Sequence, residues 1–152
     1  MSEAVAEGIV KRLKEGGVEF EVFDHEPVYT SIQAAITRGV ELRTGVKALV
    51  CKGKRTGDYT CVLVRADQKA DMKTIEGLEG ERLSMANPAE VLEVTGCEIG
   101  SVPPFGHKTK LKTYFDKRIL EEKESNFNIG LLTRSVKMKP ADLHRVVGGI
   151  DY

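Results

Sequence analysis

The sequence contains no tryptophan, few other aromatic residues and no excess of charge of either sign. Its 23 lysines and arginines equal its 23 aspartates and glutamates, so no protein-wide positive field attracts long stretches of nucleic acid. A large RNA footprint is therefore not expected, whereas a small one stays open. Hydrophobic residues make up 41% and charged residues 30% of the chain, which is typical of a globular protein rather than a disordered or collagen-like one.

Long apolar runs are also missing. None approaches the roughly 20 residues that a membrane-spanning helix needs, and the N-terminal segment predicts an amphipathic helix rather than a secretory signal. We therefore expect a cytoplasmic protein without a membrane partner. A chain of 152 residues without an internal repeat or a linker is expected to form a single domain over residues 1–152.

Cysteine is scarce. Cys51, Cys61 and Cys97 are an odd number without CxxC spacing, which argues against a disulfide framework and a zinc site. Buried free thiols are the expected state. Two β-rich runs flank the turn GKRTGD and predict a hairpin in which Cys51 lies opposite Cys61, with Cβ atoms about 4.5–5.5 Å apart. A disulfide between them would be improbable in a reducing cytoplasm.

The usual hydrolase and nucleotide motifs are absent, since GxSxG, HExxH and GxxxxGK[ST] do not occur. His25, His107 and His144 show no metal-ligand spacing, so neither a metal nor a cofactor is expected. His25 and His107 lie in loops beside proline or glycine and are interpreted first as turn residues. His144 lies on a predicted surface helix and is expected to be solvated.

Local signals nevertheless predict a regular fold. Capping residues or prolines followed by apolar residues at helical spacing predict helices, and they stand at Ser2, at Thr30 or Ser31, at Asp71, at Asn87 and at Pro140. Alternating or β-branched runs predict strands over 18–25, 47–52, 59–66, 112–116, 127–133 and 135–138. The order is not strictly βαβ, so we expect an α+β fold with a compact mixed, mainly antiparallel β core of about six or seven strands surrounded by helices.

Two features could carry chemistry. Lys47 precedes the apolar run ALVC and is either a strand-edge lysine with its head group in water or an ammonium that points into a pocket. The loop over residues 100–106 contains two glycines and two adjacent prolines. It is either a plain rigid turn or a preorganised wall that presents main-chain groups to a small polar substrate.

Several separated segments resemble one known family. They are HEPVYTS from His25, VKALV from Val46, GSVPPFG from Gly100, YFD from Tyr114, NIG from Asn128 and PADL from Pro140. Together they resemble the YbaK family, which includes free-standing homologues of the editing domain of bacterial prolyl-tRNA synthetase. The likeness extends over about residues 18–147.

This resemblance implies a trans-editing deacylase that hydrolyses mischarged aminoacyl-tRNA, with alanine, serine or cysteine on tRNA(Pro) as the expected substrates. It implies that Lys47 is essential and that the aminoacyl group is held by a GxxxP loop. The residues implied to bind substrate are Gly100, Ser101, Val102, Pro103, Pro104, His25, Thr30, Asn128 and Gly130. The implied partners are the tRNA acceptor end and, as a further candidate, an aminoacyl-tRNA synthetase.

The residues themselves are compatible with this activity. An aminoacyl ester is already activated, so a protein need only hold it, stabilise charge on the carbonyl oxygen and place a water molecule. A lysine with main-chain dipoles could suffice, with help from a ribose hydroxyl of the tRNA. A basic run follows the loop and could contact phosphates or simply be a solvated face; its first members are Lys108, Lys110 and Lys112.

Other interpretations stay open. The same scaffold could serve as a non-catalytic module that binds RNA ends or a protein partner. A thiol enzyme using Cys97 lacks a recognisable partner base. Some relatives have histidine before the lysine or asparagine after it, where this chain has Val46 and Ala48, and Asn128 stands where the YbaK branch tends to have serine. These differences leave the amino acid removed undetermined.

Overall fold

The computed structural model describes residues 2–152 and consists of helices packed around two β-sheets. The helices are α1 (Ser2–Glu15), α2 (Ser31–Arg38), α3 (Met72–Glu79), α4 (Pro88–Thr95) and α5 (Pro140–Val147). The strands are β1 (Phe20–Asp24), β2 (Val46–Gly53), β3 (Tyr59–Arg65), β4 (Leu83–Met85), β5 (Lys112–Phe115), β6 (Ser125–Leu131), β7 (Arg134–Met138) and β8 (Ile150–Asp151). Short 3₁₀ helices cover Leu42–Thr44 and Lys117–Glu121.

The two sheets give the mixed, mainly antiparallel core that the sequence predicts. One has three strands in the order β1-β7-β6, and the other has five in the order β4-β2-β3-β5-β8. Only the pairs β3–β5 and β5–β8 are parallel among the strands described. Residues 2–152 form eight strands rather than six or seven because β4 and β8, with three and two residues, are too short to show a period in sequence.

The two sheets meet at a single parallel bridge between Gly45 and Asn126. Within residues 2–152 no ladder continues from this bridge, so β2 and β6 diverge beyond it. The main core packs on both sheets and against α1 and α5; its fully buried members include Ile9, Leu13, Phe115, Phe127 and Leu143. The divergence of β2 and β6 opens the space that the candidate site occupies.

Capping explains why the helices begin where they do. The Thr30 side chain accepts a hydrogen bond from the Gln33 N–H at 3.1 Å, which fixes the start of α2. Asn87 and Glu90 form a reciprocal capping box at α4. The predicted caps at these two helices are therefore confirmed. Ser2 is instead the first residue of α1, and its hydroxyl contacts the Gly96 carbonyl at 3.4 Å.

The predicted hairpin exists, but its predicted register is wrong. The Gly53 N–H donates to the Asp58 carbonyl at 2.8 Å, and this pair sets β2 against β3 so that Cys51 faces Thr60 and Cys61 faces Val50. Neighbouring positions of a strand point to opposite faces. The two thiols therefore lie in separate clusters and are free, and burial raises their pKa to about 11 for Cys51 and about 12 for Cys61.

His144 is not simply solvated as predicted. Its ring packs edge-on against Phe115 with centroids 4.7 Å apart, and its Nε2 lies 2.8 Å from the Asp151 carboxylate. The residue therefore ties α5 to β5 and β8. Within residues 2–152, no helix combines the length and apolar character needed to cross a membrane.

Candidate active site

A cavity of about 260 Å³ lies in the gap between β2 and β6. Five consecutive residues of β2, 46–50, form one wall, and α2 and the segment that precedes it form another. Asn126 and Asn128 of β6 and the loop residues Gly100 and Val102 close the remaining sides. Consecutive strand residues line the same space because the cavity lies against the edge of β2 rather than over one face.

Lys47 lines this cavity and is half-buried. It lies on β2 opposite Val64 of β3. Among the residues described, no carboxylate lies within salt-bridge distance of its ammonium. The structure thus brings Lys47 together with four other predicted site residues, which are Thr30, Gly100, Val102 and Asn128.

Arg38, at the end of α2, is a second cation in the cavity wall, and sequence reasoning did not identify it. Its guanidinium donates to Ser135 Oγ through Nε at 2.9 Å, to Asn126 Oδ1 through Nη1 at 2.8 Å and to Asn128 Oδ1 through Nη2 at 2.9 Å. Asn128 in turn donates from Nδ2 to the Gly100 carbonyl at 2.9 Å. Arg38 is therefore connected through Asn128 to the predicted substrate loop.

The charge of Arg38 is balanced by hydrogen bonds to neutral groups and not by an ion pair in the described part of the chain. Burial lowers the pKa of Arg38 to about 10, so that the guanidinium remains charged at neutral pH. Glu41 is the carboxylate among the cavity-lining residues, and it pairs with Arg43 at 2.8 Å. The cavity consequently presents excess positive charge, which suits a ligand with developing negative charge.

The loop after α4 begins and ends at the C-terminal end of that helix. The N–H groups of Lys108 and Thr109 donate to the carbonyls of Thr95 and Val94 at 3.0 and 2.9 Å, so the chain returns to the C-terminal end of α4. His107 donates from Nε2 to the Pro103 carbonyl at 2.6 Å. Burial lowers the pKa of His107 below its ordinary value, which keeps the ring neutral in this role.

Many main-chain groups of this loop are already engaged within the protein. The carbonyls of Gly100, Ser101 and Pro103 accept from Asn128, the Gly130 N–H and His107, and the Ser101 N–H donates to Glu98. Proline has no N–H. Counting hydrogen bonds within residues 2–152, only the N–H groups of Gly100 and Val102 are left as donors between residues 100 and 104, so the loop chiefly shapes the cavity.

The remaining predicted site residues are not among those that line the cavity. Ser101, Pro103 and Pro104 are buried within the loop. His25 bonds Ser135 Oγ through Nε2 at 2.7 Å, and the same oxygen accepts a hydrogen bond from Arg38. Gly130 has a φ of +101° and packs where a Cβ would lie 3.1 Å from the Ser2 carbonyl. Roles for these residues in substrate binding stay predictions.

The three lysines predicted to contact phosphates differ in their surroundings. Lys108 and Lys110 are exposed. Lys112 forms a salt bridge with Glu79, which raises the pKa of Lys112, and its ammonium lies 5.7 Å from the Tyr114 ring centroid. The charge of Lys112 is therefore largely satisfied within the protein.

The geometry argues against the interpretation as a thiol enzyme. Cys97 is fully buried and burial raises its pKa to about 11, which disfavours the thiolate that a nucleophile needs. Across residues 2–152, no three or more His, Cys, Asp or Glu side chains are grouped to hold a metal ion.

Known proteins share this architecture and resemble the chain in sequence. A model of the aminoacyl-tRNA editing domain matches residues 25–146. Multifunctional Ser/Thr-tRNA deacylase ProXp-y of Escherichia coli is 39% identical over 142 residues, which cover 91% of this chain and 85% of that protein. A proline–tRNA ligase of Thermosipho melanesiensis is 32% identical over 84% of this chain and 24% of the ligase. The crystal structure of a candidate trans-editing enzyme for prolyl tRNA synthetase shares 29% identity with a TM-score of 0.83, covering 97% of this chain and 94% of that one.

The chain therefore belongs to the aminoacyl-tRNA editing domain family. The predicted resemblance is confirmed, and with it the class of enzyme, a hydrolase that deacylates aminoacyl-tRNA.

Proposed function

We propose that this protein hydrolyses tRNA mischarged with a small amino acid, and that Lys47 is essential for the reaction. The observation that carries the proposal is the cavity of about 260 Å³, which Lys47 shares with Gly100 of the predicted substrate loop. Its volume lies near the lower end of the range for small-molecule sites. An acyl group with a short side chain fits this space better than a long or aromatic one.

The mouth of the cavity suits the terminal nucleotide of tRNA. Tyr29, Met85 and Ile99 line the cavity and remain 69%, 56% and 53% exposed. Aromatic and apolar side chains at such a position can stack against a nucleic acid base. The aminoacyl group would then enter the cavity while the base rests on its rim.

The chemistry requires few groups. Water adds to the ester carbonyl carbon, the bond from that carbon to the ribose oxygen breaks, and the proton released by water passes to the ribose oxygen. The Lys47 ammonium stabilises the negative charge that develops on the carbonyl oxygen. Free amino acid and tRNA with a restored hydroxyl are the products.

Serine is the first substrate to test. The sequence resemblance favours alanine, serine or cysteine on tRNA(Pro), and the Escherichia coli relative is named for serine and threonine. A pocket separates neighbours that differ by one methylene by only about 1–3 kcal/mol. We therefore expect activity on more than one small amino acid and little hydrolysis of correctly charged prolyl-tRNA(Pro).

A deacylation panel tests the proposal. Seryl-, alanyl-, cysteinyl- and threonyl-tRNA would each be incubated with wild-type protein, with Lys47→Ala and with Lys54→Ala, in which an exposed lysine of the hairpin loop is replaced. Lys47→Ala should lower kcat/KM by about 10²-fold or more without changing the melting temperature, and Lys54→Ala should behave as wild type. Full activity of Lys47→Ala contradicts the role of Lys47, and binding without hydrolysis by wild type would instead support the non-catalytic module.

A further inference from the structure

The edge of β2 turns main-chain polar groups toward the cavity. In an antiparallel pair, alternate residues direct both their N–H and C=O to the same neighbouring strand. Gly53 bonds Asp58 across the hairpin, so the odd-numbered residues of β2 face β3. The Val50 carbonyl accepts from the Ala86 N–H at 3.0 Å on the opposite side. Even-numbered residues therefore face away from β3.

Ala48 is the residue at which this edge is open. Strand β4 covers β2 only from Cys51 to Gly53, and the bridge to β6 is confined to Gly45. Between these points no loop or side chain of residues 2–152 is hydrogen-bonded to the Ala48 main chain. The N–H and the C=O of Ala48 thus point, side by side, into the cavity that this residue lines.

An aminoacyl ester carries the complementary pair of groups. Its α-amino group donates and its carbonyl oxygen accepts, and they are separated by one Cα, as in a residue of an adjacent antiparallel strand. Peptides that add to an exposed sheet edge use the same pairing. Carbonyls of Gly100, Ser101 and Pro103 in the loop are already engaged within the protein, whereas the β2 edge offers a donor and an acceptor on one residue.

We propose that Ala48 is the docking site of the substrate acyl group, which pairs with the β2 edge as a one-residue strand. The Ala48 C=O accepts from the substrate α-amino group, and the Ala48 N–H donates to the ester carbonyl oxygen next to Lys47. This inference rests on the proposed function and adds to it the recognition of the α-amino group. Because both bonds involve groups common to all amino acids, docking at Ala48 is independent of the side chain.

Binding of a stable analogue tests the docking site without catalysis. The probe is 3′-(L-serylamino)-3′-deoxyadenosine, whose amide cannot be cleaved like an ester. In protein labelled with ¹⁵N-alanine, addition of the probe should shift the Ala48 amide proton downfield and leave that of Ala4, on the exposed side of α1, unchanged. The same compound without the α-amino group should bind at least tenfold more weakly.

The outcomes separate the two proposals. Binding of the probe with no change at the Ala48 amide overturns the docking site and leaves the proposed function standing. No binding of the probe by a protein that deacylates seryl-tRNA also overturns the docking site alone. Neither binding nor deacylation overturns both proposals.

Proline substitution tests the N–H donor during turnover. Ala48→Pro removes the N–H at a sheet edge, where proline is tolerated, and should lower kcat/KM by about 10²-fold. Val22→Pro is the matched control, because the main-chain N–H of Val22 points outward from the edge strand β1, away from β7. This substitution should leave activity unchanged. A folded Ala48→Pro protein with full activity would overturn the proposal. If this variant does not fold, the shift of the Ala48 amide on addition of the probe decides between the outcomes instead.

Discussion

Arg38 donates a hydrogen bond to the side-chain oxygen of Asn128 at 2.9 Å, and this bond fixes which way the Asn128 amide points. With its oxygen toward Arg38 and Ser135, Asn128 can present only its nitrogen to the Gly100 carbonyl. One guanidinium on α2 thereby holds Gly100, the first residue of the predicted substrate loop, through a side chain on β6.

Replacing Arg38 should lower activity more than stability. Arg38→Gln removes a charge whose burial is costly, so the free energy of unfolding should change by only about 1 kcal/mol, whereas misplacement of the loop should lower kcat/KM by about 10²-fold. Arg38→Lys should not restore activity, because a compact ammonium cannot reach all three acceptors that the planar guanidinium bonds. Steady-state kinetics and thermal unfolding measure both effects, with the exposed Arg55→Gln as control.

A double substitution checks the route of this effect. If Arg38 acts through Asn128, Arg38→Gln combined with Asn128→Ala should lose no more activity than the more damaging single variant. Additive losses would show that Arg38 acts directly on the substrate.

Gly100→Ala should lower turnover on every accepted substrate without changing the preference among them. Gly100 has a φ of +90°, and an added Cβ would meet only Leu132 Cδ2 at 3.8 Å, so the cost is conformational and amounts to about 1–2 kcal/mol. Comparison of kcat/KM on seryl- and alanyl-tRNA measures the effect. Gly77→Ala, in open space on α3, should retain full activity. Loss on one substrate alone would show that the loop reads the side chain.

The basic run should contribute unequally to tRNA binding. Lys110 is exposed, and Lys110→Ala should reduce the slope of log Kd against log salt by about 0.7–0.9 if it contacts one phosphate. Lys112→Ala should change the slope less, because the charge of Lys112 is paired with Glu79. Titrations at several salt concentrations decide the matter. Equal effects of the two substitutions would show that the Glu79 pair opens on binding.

Glu90 should stabilise the protein in a pH-dependent way. The Lys52 hydrogen bond, with help from Asn87 and Tyr59, lowers the pKa of Glu90 from 4.5 to about 2. A carboxylate with a lowered pKa stabilises the folded state above its ordinary pKa, and the contribution disappears as the pH falls through the lowered value. Glu90→Gln should therefore lower the melting temperature at pH 7, with the difference shrinking from about pH 4.5 toward pH 2.

Thermal unfolding of both proteins across this pH range measures the effect. Glu93→Gln is the control on the same helix, where the side chain is exposed. A difference between wild type and Glu90→Gln that persists unchanged at pH 2 would contradict the ionic origin of the stabilisation.

Helix starts could be predicted because their causes are local. Thr30 and Asn87 bond main-chain groups three residues away, and such signals are visible in a short stretch of sequence. The hairpin register could not be predicted as reliably, because one pairing, Gly53 with Asp58, shifts every later partner by one position.

The cavity lining was only partly predictable. Arg38 and Asn126 are 88 positions apart, and nothing local indicates that they meet. A signal did exist in β6, where Asn126 and Asn128 alternate with Phe127 and Ile129. Buried polar side chains on one face of a strand need partners, so this alternation pointed to a polar interior that sequence reasoning passed over.

The five-stranded sheet ends on strands of three and two residues, β4 and β8. Sheets of separate molecules associate through long exposed edges, and short edge strands are one way in which proteins avoid this. A further open stretch of edge, around Ala48, lies in the cavity that α2 and the loop over residues 100–106 also line. A strand of another protein molecule would have to enter this cavity to pair with it. The arrangement of this sheet therefore disfavours intermolecular β-aggregation.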